Sequence, residues 1–150
     1  MTPHIVRAAK EHLGAVARIE RESFSDPWSE DAFLGMVDSP LAIFLVALGD
    51  AGDVVGYSAA TAVWENGEIL NVAVDRESRG KGIGGKLLDA AVSALRDQLV
   101  HSIFLEVRES NAAAIALYKS RGFARLSVRQ SYYRHPVENA LVMRLDAQGD

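Results

Sequence analysis

The stretch "RGKGIGGKLL", residues 79–88, places four glycines within six positions, directly before an apolar segment with helical spacing. Glycine has no side chain, so its backbone N–H group can come close to a ligand. At the start of a helix, unpaired N–H groups and the helix dipole together attract anions such as phosphate. Four glycines without a ligand would only weaken the helix start. The stretch therefore predicts a site for a phosphate-bearing cofactor.

The same stretch fits three phosphate-binding patterns: the dinucleotide fingerprint G-x-G-x-x-G, most of the P-loop G-x-x-x-x-G-K-[ST], and R-x-x-G-x-G. The P-loop is disfavoured because Leu87 stands where a hydroxyl should hold Mg²⁺. Glu106 follows the glycines at about the sequence distance expected of a ribose-binding acid, which favours the dinucleotide fold. Against this fold, residues 75–79 separate the preceding strand from the glycines. The chain after Gly85 is also too short for the further parallel units of that fold. The pattern R-x-x-G-x-G therefore remains.

Apolar periodicity on both sides of the glycines predicts a chain of strands and helices. A first helix is predicted from Lys10, and the longest helix starts at the glycines. Ser29 and Asn111 are predicted N-caps of two shorter helices, and Gly122 ends the second of them. The predicted strands are residues 4–9, 41–48, 54–63, 67–74, 102–107, 123–128 and 140–145, and residues 129–139 form a connection between the last two.

Composition excludes several classes of protein. The length predicts one domain over residues 1–150, and the net charge of −4 argues against a nucleic-acid partner. No cysteine is present, which excludes a disulfide framework and a thiolate nucleophile, and the four histidines lack the spacing of metal ligands, so no metal is predicted. The longest apolar run, residues 41–48, is too short to cross a bilayer, and the first residues lack the apolar core of a signal peptide. We expect a soluble cytoplasmic protein with no membrane contact.

Three blocks of sequence resemble a known family. They are "SFSDPWSEDAF" at residues 23–33, "ILNVAVDRESRGKGIGGKLL" at residues 69–88 and "LEVRESNAAAIALYKSRGF" at residues 105–123. Together they are similar to the Gcn5-related N-acetyltransferases (GNAT), and the first block is similar to the RimI-like branch, which acetylates the N-terminal alanine of a small-subunit ribosomal protein. The resemblance runs from about Phe24 to Met143. It implies an α/β (α+β) fold with a mixed, mostly antiparallel sheet of about seven strands, splayed in the middle and flanked by about four helices.

The resemblance also implies acetyl-CoA as the cofactor and places its parts along the chain. The pyrophosphate is expected at the glycine loop, which consists of Arg79, Gly80, Lys81, Gly82, Ile83, Gly84 and Gly85. The pantetheine arm is expected to pair with the strand edge formed by Val72, Ala73 and Val74, provided that the neighbouring strand splays away. Asn111 resembles the family residue that reaches the cofactor from the next helix, and it can be a plain N-cap at the same time.

Two residues are candidates for proton transfer by resemblance. Glu106 is expected to act as the general base, with an ordinary acid at a strand end as the alternative. Tyr118 is expected to protonate the departing thiolate, with a core tyrosine among apolar neighbours as the alternative. A backbone N–H group near Val74 is expected to stabilise the oxyanion. These roles describe an amine acetyltransferase that works without a metal.

The substrate side is predicted from aromatic residues. Phe24 and Trp28 are expected to form a wall against a peptide, with Tyr132 and Tyr133 on an opposite loop. The nearby acids would suit a cationic peptide, and the alternative is that most of them lie on the solvated faces of two short helices; they are Glu20, Glu22, Asp26, Glu30 and Asp31. The leading hypothesis is an enzyme that acetylates the N-terminus of a ribosomal protein. The alternatives are acetylation of a lysine or of a small amine, and a non-catalytic acyl-CoA-binding module. A pure binding module would need neither of the two proton-transfer residues.

Overall fold

The computed structural model describes residues 2–148 and contains seven strands and four α-helices within that range. In chain order they are β1 His4–Arg7, α1 Leu13–Ser23, α2 Glu30–Val37, β2 Ala42–Leu48, β3 Val54–Val63, β4 Asn66–Val74, α3 Ile83–Asp97, β5 Ser102–Arg108, α4 Ala112–Ser120, β6 Ala124–Tyr133 and β7 Glu138–Asp146. No helix within residues 2–148 is long and apolar enough to cross a membrane.

Most predicted elements are confirmed, but several boundaries are wrong; β7, for example, begins at Glu138 and not at residue 140. The first strand ends at Arg7, and α1 starts at Leu13 because residues Lys10–His12 form a 3₁₀ turn. The larger difference is β6, which continues to Tyr133 through residues that were predicted to form a connection. β6 is an exposed edge strand rich in polar residues, so it lacks the apolar alternation that marks a half-buried strand.

The seven strands form one sheet in the order β1-β2-β3-β4-β5-β7-β6, and every neighbouring pair is antiparallel except β4 and β5. The parallel pair is short, because pairing runs only from Asn66 with Ser102 to Ile69 with Leu105. Both strands continue beyond this point without pairing to each other. The predicted splay in the middle of the sheet is therefore confirmed.

A bulge in β4 lies where the two strands separate. The register with β3 passes from Ala60 opposite Ile69 to Ala59 opposite Asn71, so Leu70 is the extra residue. A bulge bends its strand and increases the local twist. β4 thus stays paired with β3 but turns away from β5, and a gap opens between β4 and β5.

Helices cover both faces of the sheet. α3 packs on one face through its apolar stripe, in which Leu87, Leu88 and Leu95 are fully buried. α1 and α2 pack on the other face, where Phe33 contacts Phe44 with 5.5 Å between ring centroids. Burial of such apolar surface is the main stabilising term for the sheet and fixes the strand ends around the gap.

Candidate active site

The glycine loop is shaped as an open cradle before α3. Gly80 and Gly82 have φ values of 79° and 80°, in the left-handed region that side chains rarely adopt. A Cβ atom at either position would have no heavy atom within 4 Å, so the backbone there faces open space. This is the geometry in which successive N–H groups can face an anion at the start of a helix.

The other residues of the loop differ in what they contact. A Cβ atom on Gly84 would lie 3.7 Å from Val74, which keeps α3 close to β4. Gly85 makes room for the guanidinium group of Arg121, which pairs with Asp89 at 3.0 Å. Arg79 was expected to add positive charge for the phosphates. Its Nε instead donates to the Val74 carbonyl at 3.0 Å, so the side chain fastens the loop to the end of β4.

The edge of β4 presents alternate backbone groups to the gap. Asp75 donates its N–H to Val55 of β3 at 2.8 Å. Alternation along the strand then turns the backbone of Ala73 toward β3 and the backbones of Val72 and Val74 toward the gap. The Val74 carbonyl is taken by Arg79, which leaves the Val74 N–H and both groups of Val72 on the open edge. The backbone of Ala73 is paired with β3, so of the three predicted residues Val72 and Val74 are the ones with backbone groups on the open edge.

The gap opens into a cleft of about 580 Å³. Eight of the residues predicted from the sequence line it, drawn from the loop after α1, from β4, β5 and α4, and from β6. They are Phe24, Trp28, Val72, Glu106, Asn111, Tyr118, Tyr132 and Tyr133. The structure thus brings the predicted catalytic and substrate residues together around one cavity.

Glu106 lies on β5 just beyond the point where β4 turns away. Its side chain is only 18% exposed, and its Oε2 atom is buried without a hydrogen bond. The nearest cation is Arg129 of β6, with its Nε 3.6 Å from Oε2. A buried acceptor without a hydrogen bond is costly in a folded protein unless a ligand or function uses it. Glu106 can accept a proton from a group that enters the cleft.

A second carboxylate, Glu68, lines the same cleft and was missed in the sequence. Glu68 lies opposite Phe104 in the parallel pair, so Glu68 and Glu106 share one face of the sheet. Burial raises the pKa of Glu68, the charge of Glu106 raises it further, and Arg129 lowers it. The signal in the sequence was an acid within the apolar strand "GEILNVAV".

Tyr118 packs against the core and lines the cleft, so its place in the core is confirmed and its role as an acid stays a prediction. Its ring packs edge-on against Phe123 with 6.0 Å between centroids. Burial raises the pKa of Tyr118 to about 12. The phenol therefore keeps its proton at neutral pH and is able to donate it. Asn111, at the start of the same helix, accepts the Ala114 N–H at 3.2 Å, which confirms the predicted N-cap.

The predicted substrate residues come from two segments. Trp28 packs on Phe33 at 5.5 Å between centroids, and Phe24 is 37% exposed. Tyr132 and Tyr133 were predicted on a loop, but both lie at the end of β6, with their rings nearly perpendicular and 5.0 Å apart. The tyrosine side of the cleft is therefore held by regular structure, whereas Phe24 and Trp28 lie in the irregular segment between α1 and α2.

Arg108 joins these two segments. One of its Nη atoms donates to Ser25 Oγ at 3.0 Å and to the Arg134 carbonyl at 2.8 Å, and the other reaches Glu138 at 3.1 Å. Asp26 and His135 form a further pair at 2.9 Å. We call this set of contacts, between residues 25–26 and 134–138, the loop bridge. It closes one side of the cleft.

Glu20 lies on the wall of the cleft, but it is not the open negative charge that was expected to attract a cationic peptide, because the residue is 1% exposed. The carboxylate accepts hydrogen bonds from the Trp28 N–H at 3.0 Å, from the Asn71 side chain at 3.0 and 3.2 Å, and from the Tyr57 hydroxyl. Burial raises the pKa of Glu20, and these hydrogen bonds act in the opposite direction.

Within residues 2–148, no group of three or more histidine, aspartate or glutamate side chains is arranged to hold a metal ion. The cleft combines carboxylates and a tyrosine with the open edge of β4, and the glycine cradle lies at the end of that strand.

Comparisons with known proteins point to acetyl transfer. The family model described as Acetyltransferase (GNAT) family matches residues 13–123. A putative [ribosomal protein bS18]-alanine N-acetyltransferase of Bacillus subtilis is 35% identical over 134 residues, which cover 89% of this chain and 88% of that protein. The [ribosomal protein bS18]-alanine N-acetyltransferase of Escherichia coli K12 is 34% identical over 135 residues, covering 89% and 90%. The crystal structure of the Escherichia coli ribosomal-protein-S18-alanine N-acetyltransferase superposes with a TM-score of 0.90 at 30% identity, covering 99% of this chain and 96% of that one.

Proposed function

The chain belongs to the GNAT family of acetyltransferases, and on this premise we propose that it transfers the acetyl group of acetyl-CoA to the α-amine of a protein N-terminus. The substrate proposed is a ribosomal protein with an N-terminal alanine, as the names of its relatives state for them. Such a substrate places the activity in the cytoplasm. The observation that carries the proposal is the gap between β4 and β5, with Glu106 and Tyr118 on its walls.

The site fits acetyl-CoA in two ways. The unpaired groups of Val72 and the N–H of Val74 are suited to the amides of an extended arm, which would pair with β4 where β5 has left it. The open cradle around Gly80 and Gly82 is suited to a pyrophosphate. When bound, acetyl-CoA supplies a thioester. Its carbonyl carbon accepts the amine, and its sulfur is the leaving group.

The residues of the cleft then divide the proton transfers between them. Glu106 would take one proton from the incoming ammonium, which frees the nitrogen lone pair for the thioester carbonyl carbon. The Val74 N–H faces the gap, where it would stabilise negative charge on the carbonyl oxygen. Tyr118 would give its proton to the departing sulfur, whose thiol form has an ordinary pKa near 8.5. The nitrogen loses a second proton as the amide forms, which restores the Tyr118 hydroxyl through solvent, so an ammonium and a thioester give an amide, a thiol and the one proton taken up by Glu106.

Tyr118→Phe is expected to lower kcat by about 10²-fold, at the lower end of the range for a general acid, without raising KM for either substrate, because phenylalanine keeps the packing on Phe123 but has no proton to give. Steady-state kinetics in both substrates would measure this split. Since burial raises the pKa of Tyr118 to about 12, wild-type kcat should not fall as pH passes through 10. An unchanged kcat in the variant would make Tyr118 a core residue alone.

A peptide that begins with alanine is expected to be acetylated at its α-amine, at least tenfold faster than an N-terminally blocked copy that contains lysine. The α-amine titrates near pH 7.7–8.0 and the lysine side chain near 10.4, a gap of about 2.5 units, so much less neutral lysine is present at pH 7. The loop bridge closes one side of the cleft, which suits a chain end better than a continuous chain.

Purified protein should be offered both peptides with acetyl-CoA, and the transfer followed by mass spectrometry. A third peptide, blocked at the N-terminus and free of lysine, serves as the control for non-enzymatic transfer. Equal or faster acetylation of the blocked lysine peptide would overturn the N-terminal assignment, and no transfer to any of the peptides would count against the proposed substrate.

A further inference from the structure

Glu20 lies at a junction between three parts of the fold. It comes from α1, and its partners are the loop that carries the Trp28 wall, the core strand β3 through Tyr57, and β4 through Asn71. Asn71 directly follows the bulge residue Leu70 and directly precedes Val72 on the open edge. One carboxylate therefore touches both the substrate wall and the strand that faces the proposed cofactor.

The groups around this carboxylate are all donors. The Trp28 N–H is a backbone donor, the Asn71 Nδ2 atom reaches both carboxylate oxygens, and the Tyr57 hydroxyl donates to Oε1. Both oxygens are thereby engaged, so Glu20 is not available as a base for the amine. Tyr57 is fully buried and cannot turn to water for another partner. The arrangement holds its neighbours in place and does not take part in proton transfer.

Among the donors to Glu20, the Trp28 N–H is expected to be affected most by a change in the carboxylate. Trp28 lies in the segment between α1 and α2, residues 24–29, which contains no regular structure. Its backbone is fixed to the core by this hydrogen bond, while its ring rests on Phe33 of α2. An unpaired, partly buried N–H group would favour a shift of the segment toward water. The peptide wall would move with it.

We propose that Glu20 is a positioning residue for the peptide substrate, because its buried carboxylate fastens the Trp28 wall to β4 beside the cleft. The inference rests on the proposed function for the identity of the substrate. It predicts that the integrity of this junction controls KM for the peptide and leaves KM for acetyl-CoA nearly unchanged, since the cradle at Gly80 and Gly82 is held by other contacts.

Glu20→Gln tests this at constant size. The amide replaces one acceptor oxygen with an NH₂ donor, and in the observed orientation of Asn71 this group faces another donor, so a hydrogen bond is lost or the Asn71 amide has to turn over. The loss of one such hydrogen bond is expected to raise KM for the alanine peptide about tenfold. Glu65→Gln is the matched control, because it makes the same change on a side chain that is 70% exposed and lies before β4, at the closed end of the parallel pair.

A second readout does not depend on activity. The chain has two tryptophans, Trp28 and Trp64, and Trp64 is 92% exposed. In a Trp64→Phe background the fluorescence reports Trp28 alone. Adding Glu20→Gln is expected to shift the emission to longer wavelength and to increase quenching by acrylamide, while Glu65→Gln in the same background leaves both unchanged.

A rescue variant separates positioning from general stability. When Glu20→Gln is combined with Asn71→Asp, the new side-chain amide at position 20 can donate to a carboxylate at position 71 while its oxygen accepts the Trp28 N–H. The double variant is expected to recover part of the peptide KM. The proposal is overturned if Glu20→Gln lowers the melting temperature but leaves peptide KM and Trp28 fluorescence as in wild type, if it raises the two KM values equally, or if the double variant is no better than the single one. Because the fluorescence arm needs no substrate, a failure of the N-terminal assignment is distinguishable from a failure of this inference.

Discussion

Glu106→Gln is expected to lower kcat of acetyl transfer at pH 7 by about 10²–10⁴-fold, the range that a general base contributes. Glutamine has nearly the same size and can occupy the same place on β5, but it cannot take up the proton of the amine. The affinity for acetyl-CoA should be nearly unchanged, because the glycine cradle and the edge of β4 are untouched. The defect should therefore lie in turnover.

The loss of kcat in Glu106→Gln is expected to decrease as pH rises. An α-amine has a pKa near 7.7–8.0, so the neutral amine becomes abundant in solution above pH 8 and needs less help from a base. The loss in kcat should be largest near pH 6.5 and should shrink as pH rises to 9. Initial rates with the alanine peptide over this range, with calorimetry of acetyl-CoA binding as the control, would measure both parts. Wild-type turnover of the variant at pH 7 would make Glu106 a structural acid.

Gly82→Val is expected to lower kcat/KM for acetyl-CoA by at least about 100-fold. Each hydrogen bond to a charged group contributes about 1.5–3 kcal/mol, so the loss of two such bonds from a displaced loop accounts for this factor. The φ of 80° is strained for a β-branched residue, and the side chain would project into the open space above the cradle. The variant should bind acetyl-CoA weakly and also unfold at a lower temperature.

Gly52→Val is the matched control for that strain. Gly52 has a φ of 83° in the turn between β2 and β3, and a Cβ atom there would also meet no heavy atom within 4 Å. Both variants should lose about 1–2 kcal/mol of unfolding free energy from the left-handed conformation. Only Gly82→Val should lose affinity for acetyl-CoA in calorimetry. Equal affinities in the two variants would remove the glycine loop from the cofactor site.

The parts of the site that follow from local sequence were predictable. The glycine loop, the N-caps at Ser29 and Asn111, and the apolar stripe of α3 depend on neighbours within a few residues, and all are present in the structure. The splay between β4 and β5 was expected from the family resemblance alone. Nothing local in "ILNVAV" shows that pairing stops at Ile69, because the cause is a bulge relative to β3.

Glu20 shows why other parts of the site could not be predicted from the sequence. Its partners Tyr57 and Asn71 are 37 and 51 residues away, and no local pattern connects them. A weak signal did exist, because Glu20 stands four residues after Val16 and seven after Leu13, on the inner face of α1. An acid on the buried stripe of a helix requires a hydrogen-bonded partner. In the sequence, the position of Glu20 on the buried stripe of α1 was therefore more informative than its charge.

β7, the last strand of the described chain, lies between β5 and β6 in the sheet. During synthesis, β1 to β4 and α3 can assemble first, since their pairing connects neighbours in sequence. β5 is then held only by the four residues that pair with β4, and β6 has no strand beside it until residues 138–146 emerge. Insertion of β7 fixes the strand of Glu106, the two tyrosines and the Arg108 contacts in one step. A nascent chain is therefore expected to acquire its peptide site abruptly, once residues 138–146 have left the ribosome.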